Sequence, residues 1–284
     1  MDITGETRLL GLLGDPVSHS LSPRMHNMAF AQLGLPYVYL AFKANESELP
    51  AAVAGMRALN AKGFNLTMPD KKAIIPLLDE VTPEARMIGS VNTVVNRDGK
   101  LVGYNTDGKG FVRDLLEHGV SIKGKRILMG GAGGAARAVA IQLALDGAAE
   151  LVVINRTLEK AVEIRDVIAR DISSCKVEAL ELNEDRLRAK LVGADIFINS
   201  TALGMHPNED SCILSGPDLL RPSLVVADFI YNPRKTKLLR MAEQAGCTAI
   251  NGLGMLLWQG AEAFNIWTGA DMPVSLVKKT VFPD

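Results

Sequence analysis

Arg126-Ile127-Leu128-Met129-Gly130-Gly131-Ala132-Gly133-Gly134-Ala135-Ala136 is the stretch on which the fold turns. Its first four residues form a short apolar run of the kind that makes a buried strand. Gly131, Gly133 and Ala136 then fall at the G-x-G-x-x-G/A spacing, and an apolar helix is predicted from about Ala135. In that pattern the first glycine permits a tight turn, the second lets the backbone approach a pyrophosphate, and the small third residue lets helix and strand pack closely. The helix N-terminus offers N–H groups to the same anion. Gly131, Ala132, Gly133, Gly134 and Ala135 are therefore the expected phosphate cradle. Downstream, strand patterns at Leu151–Ile154, Val177–Leu182, Asp195–Asn199 and Leu224–Ala227 alternate with helical ones, including Leu158–Ala169. Such alternation implies right-handed crossovers and a mostly parallel, doubly wound α/β sheet.

The second strand of this half decides the cofactor. A site for NAD places Asp or Glu at that strand end, about 20 residues past the turn, to hold the ribose 2′-hydroxyl. Here the strand runs into Asn155-Arg156-Thr157. A carboxylate would repel a 2′-phosphate, whereas a guanidinium grips one with paired charge-assisted bonds. Lys160 adds charge one helical turn on, with Glu159 beside it as a counter-signal. NADP is expected over NAD.

The first third also alternates, with strands expected at Leu9–Leu13, Tyr37–Phe42 and Phe64–Met68. Helices are expected at Pro23–Leu33, with Ser22 as N-cap and Gly34 beyond its end, at Leu49–Leu59 and at Lys72–Leu78. Val91–Val95 and Leu101–Tyr104 flank an Asp98-Gly99 turn and read as a hairpin. Two polar motifs follow strand-like runs: Asn65-Leu66-Thr67-Met68-Pro69-Asp70-Lys71 and Gly103-Tyr104-Asn105-Thr106-Asp107-Gly108. Side chains at strand ends converge on clefts, and a Lys beside an Asp there can move a proton. The last segment reads as helical, at Thr236–Gln244 and Met255–Phe264. A first domain over 1–107 is expected, completed by about 247–284, around a dinucleotide domain at about 108–246.

Composition narrows the partners. The chain has 284 residues, 48% hydrophobic and 22% charged, with a net charge of -1, so neither nucleic acid nor an anionic membrane is the expected partner. No run is long enough to span a bilayer and no signal-type stretch opens the chain. Cys175, Cys212 and Cys247 have no metal-ligand or disulfide spacing, so no metal is expected and the reducing cytoplasm is the expected compartment. Monomer and homodimer are both compatible with the composition.

Several motifs in order carry a resemblance over nearly the whole chain: Pro16-Val17-Ser18-His19-Ser20-Leu21-Ser22-Pro23, the two polar motifs above, Val91-Asn92-Thr93, the glycine turn, Asn155-Arg156-Thr157, Tyr231-Asn232-Pro233 and Gly252 to Ala261. The chain resembles the shikimate dehydrogenase family, including its quinate/shikimate branch. The resemblance implies reversible NADP-dependent reduction of 3-dehydroshikimate to shikimate, a step of aromatic amino-acid biosynthesis, in an α/β protein with an N-terminal substrate domain and a Rossmann-type domain. It implies Lys71 and Asp107 as the catalytic pair, Ser20 and Ser22 on the substrate carboxylate, and Thr67, Asn92 and Gln259 on the ring hydroxyls, with Tyr231 near them. It places Thr201, Gly252 and Met255 beside the cofactor. Leu257-Trp258-Gln259-Gly260-Ala261 looks more like the quinate branch, while Thr67 and the basic Asn155-Arg156-Thr157 segment look like the shikimate form. Shikimate is expected to be preferred and quinate to be slow. A regulatory protein without turnover and a folate-type dehydrogenase are the other readings of the same architecture; the intact Lys71, Asp107, Asn92 and Gln259 oppose the first, and the serine pair opposes the second.

Overall fold

The computed structural model describes residues 3–67 and 69–282. Met68, the last residue of the expected third strand, lies outside the described residues, as do Met1 and Asp2. The chain divides into two compact units, Met1–Thr106 with Leu257–Asp284, and Asp107–Leu256.

The first unit contains β1 (Arg8–Gly14), α1 (Ser22–Leu33), β2 (Tyr37–Lys43), α2 (Leu49–Ala58), β3 (Gly63–Leu66), β4 (Glu80–Val81), α3 (Pro83–Ile88), β5 (Thr93–Arg97) and β6 (Lys100–Tyr104). Its sheet has the order β2-β1-β3-β5-β6-β4. The first three strands run parallel, and β5 and β6 form the expected antiparallel hairpin. Asp98 and Gly99 both take positive φ, as a twist-matched two-residue hairpin turn requires, and Asn96 Oδ1 accepts the Gly99 N–H at 2.8 Å. Leu13, Val53, Met56, Phe64, Ile74 and Val94 share one buried cluster in this unit.

Two local expectations change. Lys72–Leu78 is not an α-helix but a run of turns ending in a single 3₁₀ turn at Ile75–Leu77. Pro76 has no N–H to donate and disfavours α-helical geometry at Ile75. Ser22 is not an N-cap: Leu21 occupies that position, and Ser22 is already the first residue of α1.

The second unit continues with α4 (Asp107–Glu117), β7 (Arg126–Gly130), α5 (Gly134–Leu145), β8 (Glu150–Asn155), α6 (Leu158–Asp171), β9 (Lys176–Glu181), α7 (Glu184–Leu191), β10 (Ile196–Asn199), β11 (Val225–Asp228), α8 (Lys237–Gln244) and β12 (Thr248–Ile250). Its strand order is β12-β11-β10-β7-β8-β9, with every pairing parallel. This is the doubly wound Rossmann order, with β7 at the switch point between the two halves. Phe197, Leu128 and Val226 pack on one face of the sheet beside Leu187 and Leu238. Thr236 caps α8, accepting the Leu239 N–H at 3.3 Å.

Two helices close the chain: α9 (Leu253–Thr268), whose residues from Leu257 belong to the first unit, and α10 (Val274–Val281). Trp267 is buried and donates Nε1–H to the Val94 carbonyl at 2.9 Å. Gly260 lies so close to Met25 of α1 that a Cβ there would overlap the Met25 side chain.

Between these elements sits His26, fully buried, with neither ring nitrogen hydrogen-bonded among the described residues. Its ring stacks on Tyr39 at 4.6 Å and meets Trp267 edge-on at 5.2 Å, with Phe30 and Phe264 at 6.2 Å. Burial in this aromatic cage pushes the imidazole pKa down to about 3. The folded state therefore holds His26 neutral, while the unfolded chain protonates it below its ordinary value. Stability from this residue is complete above pH 6.5 and is lost as pH falls toward 3, by about 1.4 kcal/mol per pH unit. Urea unfolding at pH 7 and pH 5 is the check: His26→Phe is expected to lose about 2 kcal/mol less stability over that interval than the unmodified protein.

Candidate active site

In the second unit the turn after β7 bears out its spacing. Gly131 takes φ +111, and a Cβ on it would meet Ser200 of the segment following β10. Ser200 closes this turn by donating both its N–H and its hydroxyl to the Gly130 carbonyl, at 2.7 and 2.8 Å. Gly133 is the N-cap of α5 and supplies no side chain to its free N–H groups, and the space where its Cβ would stand is open. A cavity of about 650 Å³ lies here, within the range of small-molecule sites. Gly131, Ala132, Gly133, Asn155, Arg156 and Thr201 are all on its lining. Asn155 turns its side-chain amide to the Thr157 carbonyl at 2.8 Å, which shapes the strand end and leaves Arg156 as the one cation on the described lining. No carboxylate stands at the end of β8. The residues fit a dinucleotide with a phosphorylated ribose: an open glycine cradle, an uncapped helix N-terminus and a guanidinium on one cavity.

Of the other expected cofactor residues, Gly134 and Ala135 form the first turn of α5, and Thr157 and Lys160 begin α6. They stand next to the cavity in sequence but are not on its lining, and neither are Gly252 and Met255. The lining also includes Leu182, Ser200 and the segment Pro207–Ser211, which sequence reading did not assign. That segment is held by Gly204 N–H to Ser211 Oγ at 2.8 Å and Asn208 N–H to the Met205 carbonyl at 2.8 Å. Its only advance signal was its position after β10, the strand beside β7 across the switch point. Behind Thr201 lies a buried pair of supports: Asn199 Oδ1 accepts the Thr201 hydroxyl at 2.7 Å, and Asn199 Nδ2 donates to Asp228 at 3.1 Å. Burial raises the Asp228 carboxyl to about 6, against the hydrogen bonds it accepts from Ile230, Thr236 and Asn199. Tyr231, just past this carboxylate, is about half exposed.

In the first unit, two motifs that lie apart in sequence interlock. Asn92 Oδ1 accepts the Thr106 N–H and the Thr93 hydroxyl, each at 2.9 Å. Asn92 Nδ2 donates to Thr106 Oγ1 at 2.9 Å and toward Gln259 Oε1 of α9 at 3.5 Å. Asn105 donates to the Ser90 carbonyl and hydroxyl at 3.1 and 3.0 Å. The Val91-Asn92-Thr93 and Asn105-Thr106 segments are thus one polar knot, almost fully buried. Gln259 joins it from α9, the far end of the sequence.

Lys71 follows β3, in a turn tied by the Asp70 N–H to the Thr67 carbonyl at 3.0 Å. The Lys71 carbonyl accepts the Val91 N–H at 2.8 Å, which ties this turn to the start of the knot. Its neighbour Asp70 is fully buried, neither of its carboxylate oxygens has a hydrogen-bond partner among the described residues, and burial raises its carboxyl above the usual range. Thr67 is half-buried at the strand end, its N–H on the Leu13 carbonyl at 3.0 Å. On the loop after β1, Ser20 Oγ accepts the Ser22 N–H at 3.2 Å, so the two serines share one tight turn. Asp107 is the buried first residue of α4, directly after Thr106. Gly108 beside it lies so close to the Ala138 carbonyl of α5 that no larger residue fits without a shift. A lysine, hydroxyls and amides of this kind suit a small polyhydroxy acid: donors for a carboxylate, fixed amides for hydroxyls and a movable proton on the ammonium. Among the described residues no group of His, Cys, Asp or Glu is arranged to hold a metal ion, and no helix is long and apolar enough to cross a membrane.

Comparison with known proteins agrees with this chemistry. The family model of the shikimate dehydrogenase substrate binding domain matches residues 12–94, that of shikimate/quinate 5-dehydrogenase matches 114–215, and that of the shikimate 5′-dehydrogenase C-terminal domain matches 252–282. A protein of Alkaliphilus metalliredigens named shikimate dehydrogenase (NADP(+)) is 56% identical over 279 residues, 98% of each chain. One of Listeria monocytogenes with the same name is 48% identical over 287 residues, 99% of this chain and 97% of its own. A solved shikimate 5-dehydrogenase from Listeria monocytogenes, in complex with shikimate and NAD, superposes with a TM-score of 0.96 at 47% identity over 99% of both chains. Matched from the β1 strand to the closing helices, and at this identity over almost its full length, the chain belongs to the shikimate dehydrogenase family.

Proposed function

We propose that this protein catalyses the reversible NADP-dependent reduction of 3-dehydroshikimate to shikimate, in the supply of aromatic amino acids. The observation that carries the reading is the knot of Asn92, Thr106 and Gln259, fixed beside the Lys71 turn in a chain of this family. Ser20 and Ser22 hold the substrate carboxylate through their shared turn. Thr67, Asn92 and Gln259 take the ring hydroxyls, and Tyr231 contributes from the segment after β11. NADPH, when bound, supplies the hydride. Gly131 to Ala135 and Asn155 to Thr157 hold its phosphates, with Arg156 on the 2′-phosphate and Lys160, Thr201, Gly252 and Met255 nearby.

In the reducing direction the Lys71 ammonium donates its proton to the oxygen of the carbonyl that becomes the new hydroxyl, and stabilises the negative charge that develops there. In the oxidising direction neutral Lys71 takes the proton back. Asp107 accepts a hydrogen bond from the same hydroxyl and holds it in place. The catalytic pair is thus Lys71 and Asp107. All three cysteines are free, as suits the reducing cytoplasm. Quinate is a slow alternative substrate: it carries an extra hydroxyl on the carbon that bears the carboxylate, where the Ser20–Ser22 turn would have to make room.

Initial rates separate these assignments. Lys71→Met is expected to lower kcat by about 10²–10⁴-fold while the dissociation constant for NADP stays within about twofold; near-normal turnover would remove Lys71 from the chemistry. Arg156→Ala is expected to raise KM for NADP by about tenfold or more, the worth of one charge-assisted bond, and to leave KM for NAD unchanged. An equal rise for both dinucleotides would place Arg156 away from the 2′-phosphate.

A further inference from the structure

Gly254 stands in the first turn of α9, and a Cβ on it would run into the carboxylate of Asp114. Asp114 belongs to α4 and is buried, at 3% exposure. The turn it meets is bonded at the neighbouring positions. Asn251 Oδ1 accepts the Leu253 N–H at 3.1 Å, and the Gly252 carbonyl accepts the Leu256 N–H at 3.2 Å. A helix N-terminus is the positive end of its dipole and presents N–H groups without carbonyl partners in the helix, so a carboxylate pressed against that turn is favoured. His118, one turn further along α4, brings Nδ1 to 3.4 Å from the same carboxylate and is itself partly open to solvent.

A second contact fastens the same region. The rings of Phe111 on α4 and Phe229 lie 5.2 Å apart. Gly252 fits so closely against the Phe229 backbone that a Cβ there would overlap it, and its N–H donates to the Ile230 carbonyl at 3.1 Å. The start of α9 is therefore packed against both α4 and the segment after β11. Asp107, Phe111 and Asp114 recur at i, i+4 and i+7, which is one face of α4, and all three are buried. One helix thus carries Asp107 at its beginning and the anchor of α9 two turns later.

The place of α9 in the sheet gives this anchor a role. The helix starts directly after β12, at the carboxyl end of a parallel strand, where open α/β sheets bind their ligands. Arg156 follows β8, whereas β12 is the outermost strand across the switch point from it. A dinucleotide lies across that point, so with its 2′-phosphate on Arg156 its nicotinamide half falls toward β12. We propose that Asp114 is a positioning residue for the nicotinamide half of the cofactor: by holding the first turn of α9 it fixes Gly252 and Met255, and it does so from the helix that begins with Asp107. This rests on the functional reading above, in which Gly252 and Met255 meet the cofactor.

The test is calorimetric titration of the full chain with NADPH and with 2′,5′-ADP, which keeps the 2′-phosphate and lacks nicotinamide. Asp114→Asn keeps the side chain's shape and removes its charge. It is expected to raise Kd for NADPH about 10-fold, the worth of one hydrogen bond to a charged group. Kd for 2′,5′-ADP and KM for shikimate are expected to stay within about twofold, a split that loosened folding would not produce. Gly254→Ala pushes the same turn off the carboxylate and is expected to show the same split. The double variant of Asp114→Ala with Gly254→Ala is expected to bind NADPH no more weakly than Asp114→Ala alone, because removing the carboxylate makes room for the methyl. A Kd for NADPH within twofold of the parent, an equal rise for 2′,5′-ADP, or additive effects in the double variant overturns the proposal. Should Asp114→Asn accumulate unfolded, Gly254→Ala alone decides by the same split. A parent protein that binds neither NADPH nor 2′,5′-ADP would instead overturn the cofactor reading.

Discussion

A buried amide can stay buried only if each of its hydrogen-bonding positions is filled, and Asn92 is the residue where that constraint organises the first unit. Its oxygen accepts from the Thr106 N–H and the Thr93 hydroxyl, and its nitrogen donates to Thr106 Oγ1 and toward Gln259 Oε1. Losing any partner would leave a desolvated polar atom, at a cost of about 1–3 kcal/mol. The hairpin end, the segment before α4 and the middle of α9 are therefore held in one arrangement. Lys71 inherits that rigidity through its carbonyl bond to Val91, so a flexible side chain is carried on a stationary backbone. A proton donor gains from this kind of support, since a misplacement of about 1 Å can cost about 10²-fold in rate.

The second unit solves a different problem with a different material. Its ligand carries several negative charges, and the protein meets them mostly with backbone. Gly131 takes a left-handed conformation, the position beside Gly133 is open, and Ser200 packs against Gly131 and bonds the Gly130 carbonyl. Only Arg156 adds a full positive charge to the described lining. Backbone dipoles of this kind favour an anion without the desolvation cost of a buried ion.

The parts legible in the sequence were those governed by local rules. The β7 turn follows from glycine spacing, and the β5–β6 hairpin from Asp98-Gly99. The Rossmann strands follow from apolar runs at regular intervals, although their order across the sheet needed the resemblance or the coordinates. What could not be read were contacts with no periodic signature. The helix expected at Lys72–Leu78 gives way to turns at Pro76, a local helix breaker. Ser22 carries a capping residue's chemistry but is already the first residue of α1, with its N–H on Ser20 Oγ. The Pro207–Ser211 wall is ordinary polar loop, and it gains meaning only once β10 is known to lie beside β7. Lys71, Asp107 and the serines were visible as motifs because several rare combinations recur in family order; single residues of those types would have read as turns and caps.

The first unit is assembled from both ends of the polypeptide, and this has a consequence for how the protein comes off the ribosome. Trp267 and Phe264 form part of the wall around His26, and Gln259 completes the Asn92 knot, yet all three are made after the whole Rossmann unit. During vectorial synthesis the parallel-sheet unit has its full complement of strands while the earlier residues still lack a wall of their core. The nascent N-terminal segment must therefore wait, with the aromatic faces of Phe30 and Tyr39 incompletely covered, until the last helices emerge. Co-translational chaperone contact with this protein should accordingly concentrate on its oldest residues rather than its newest.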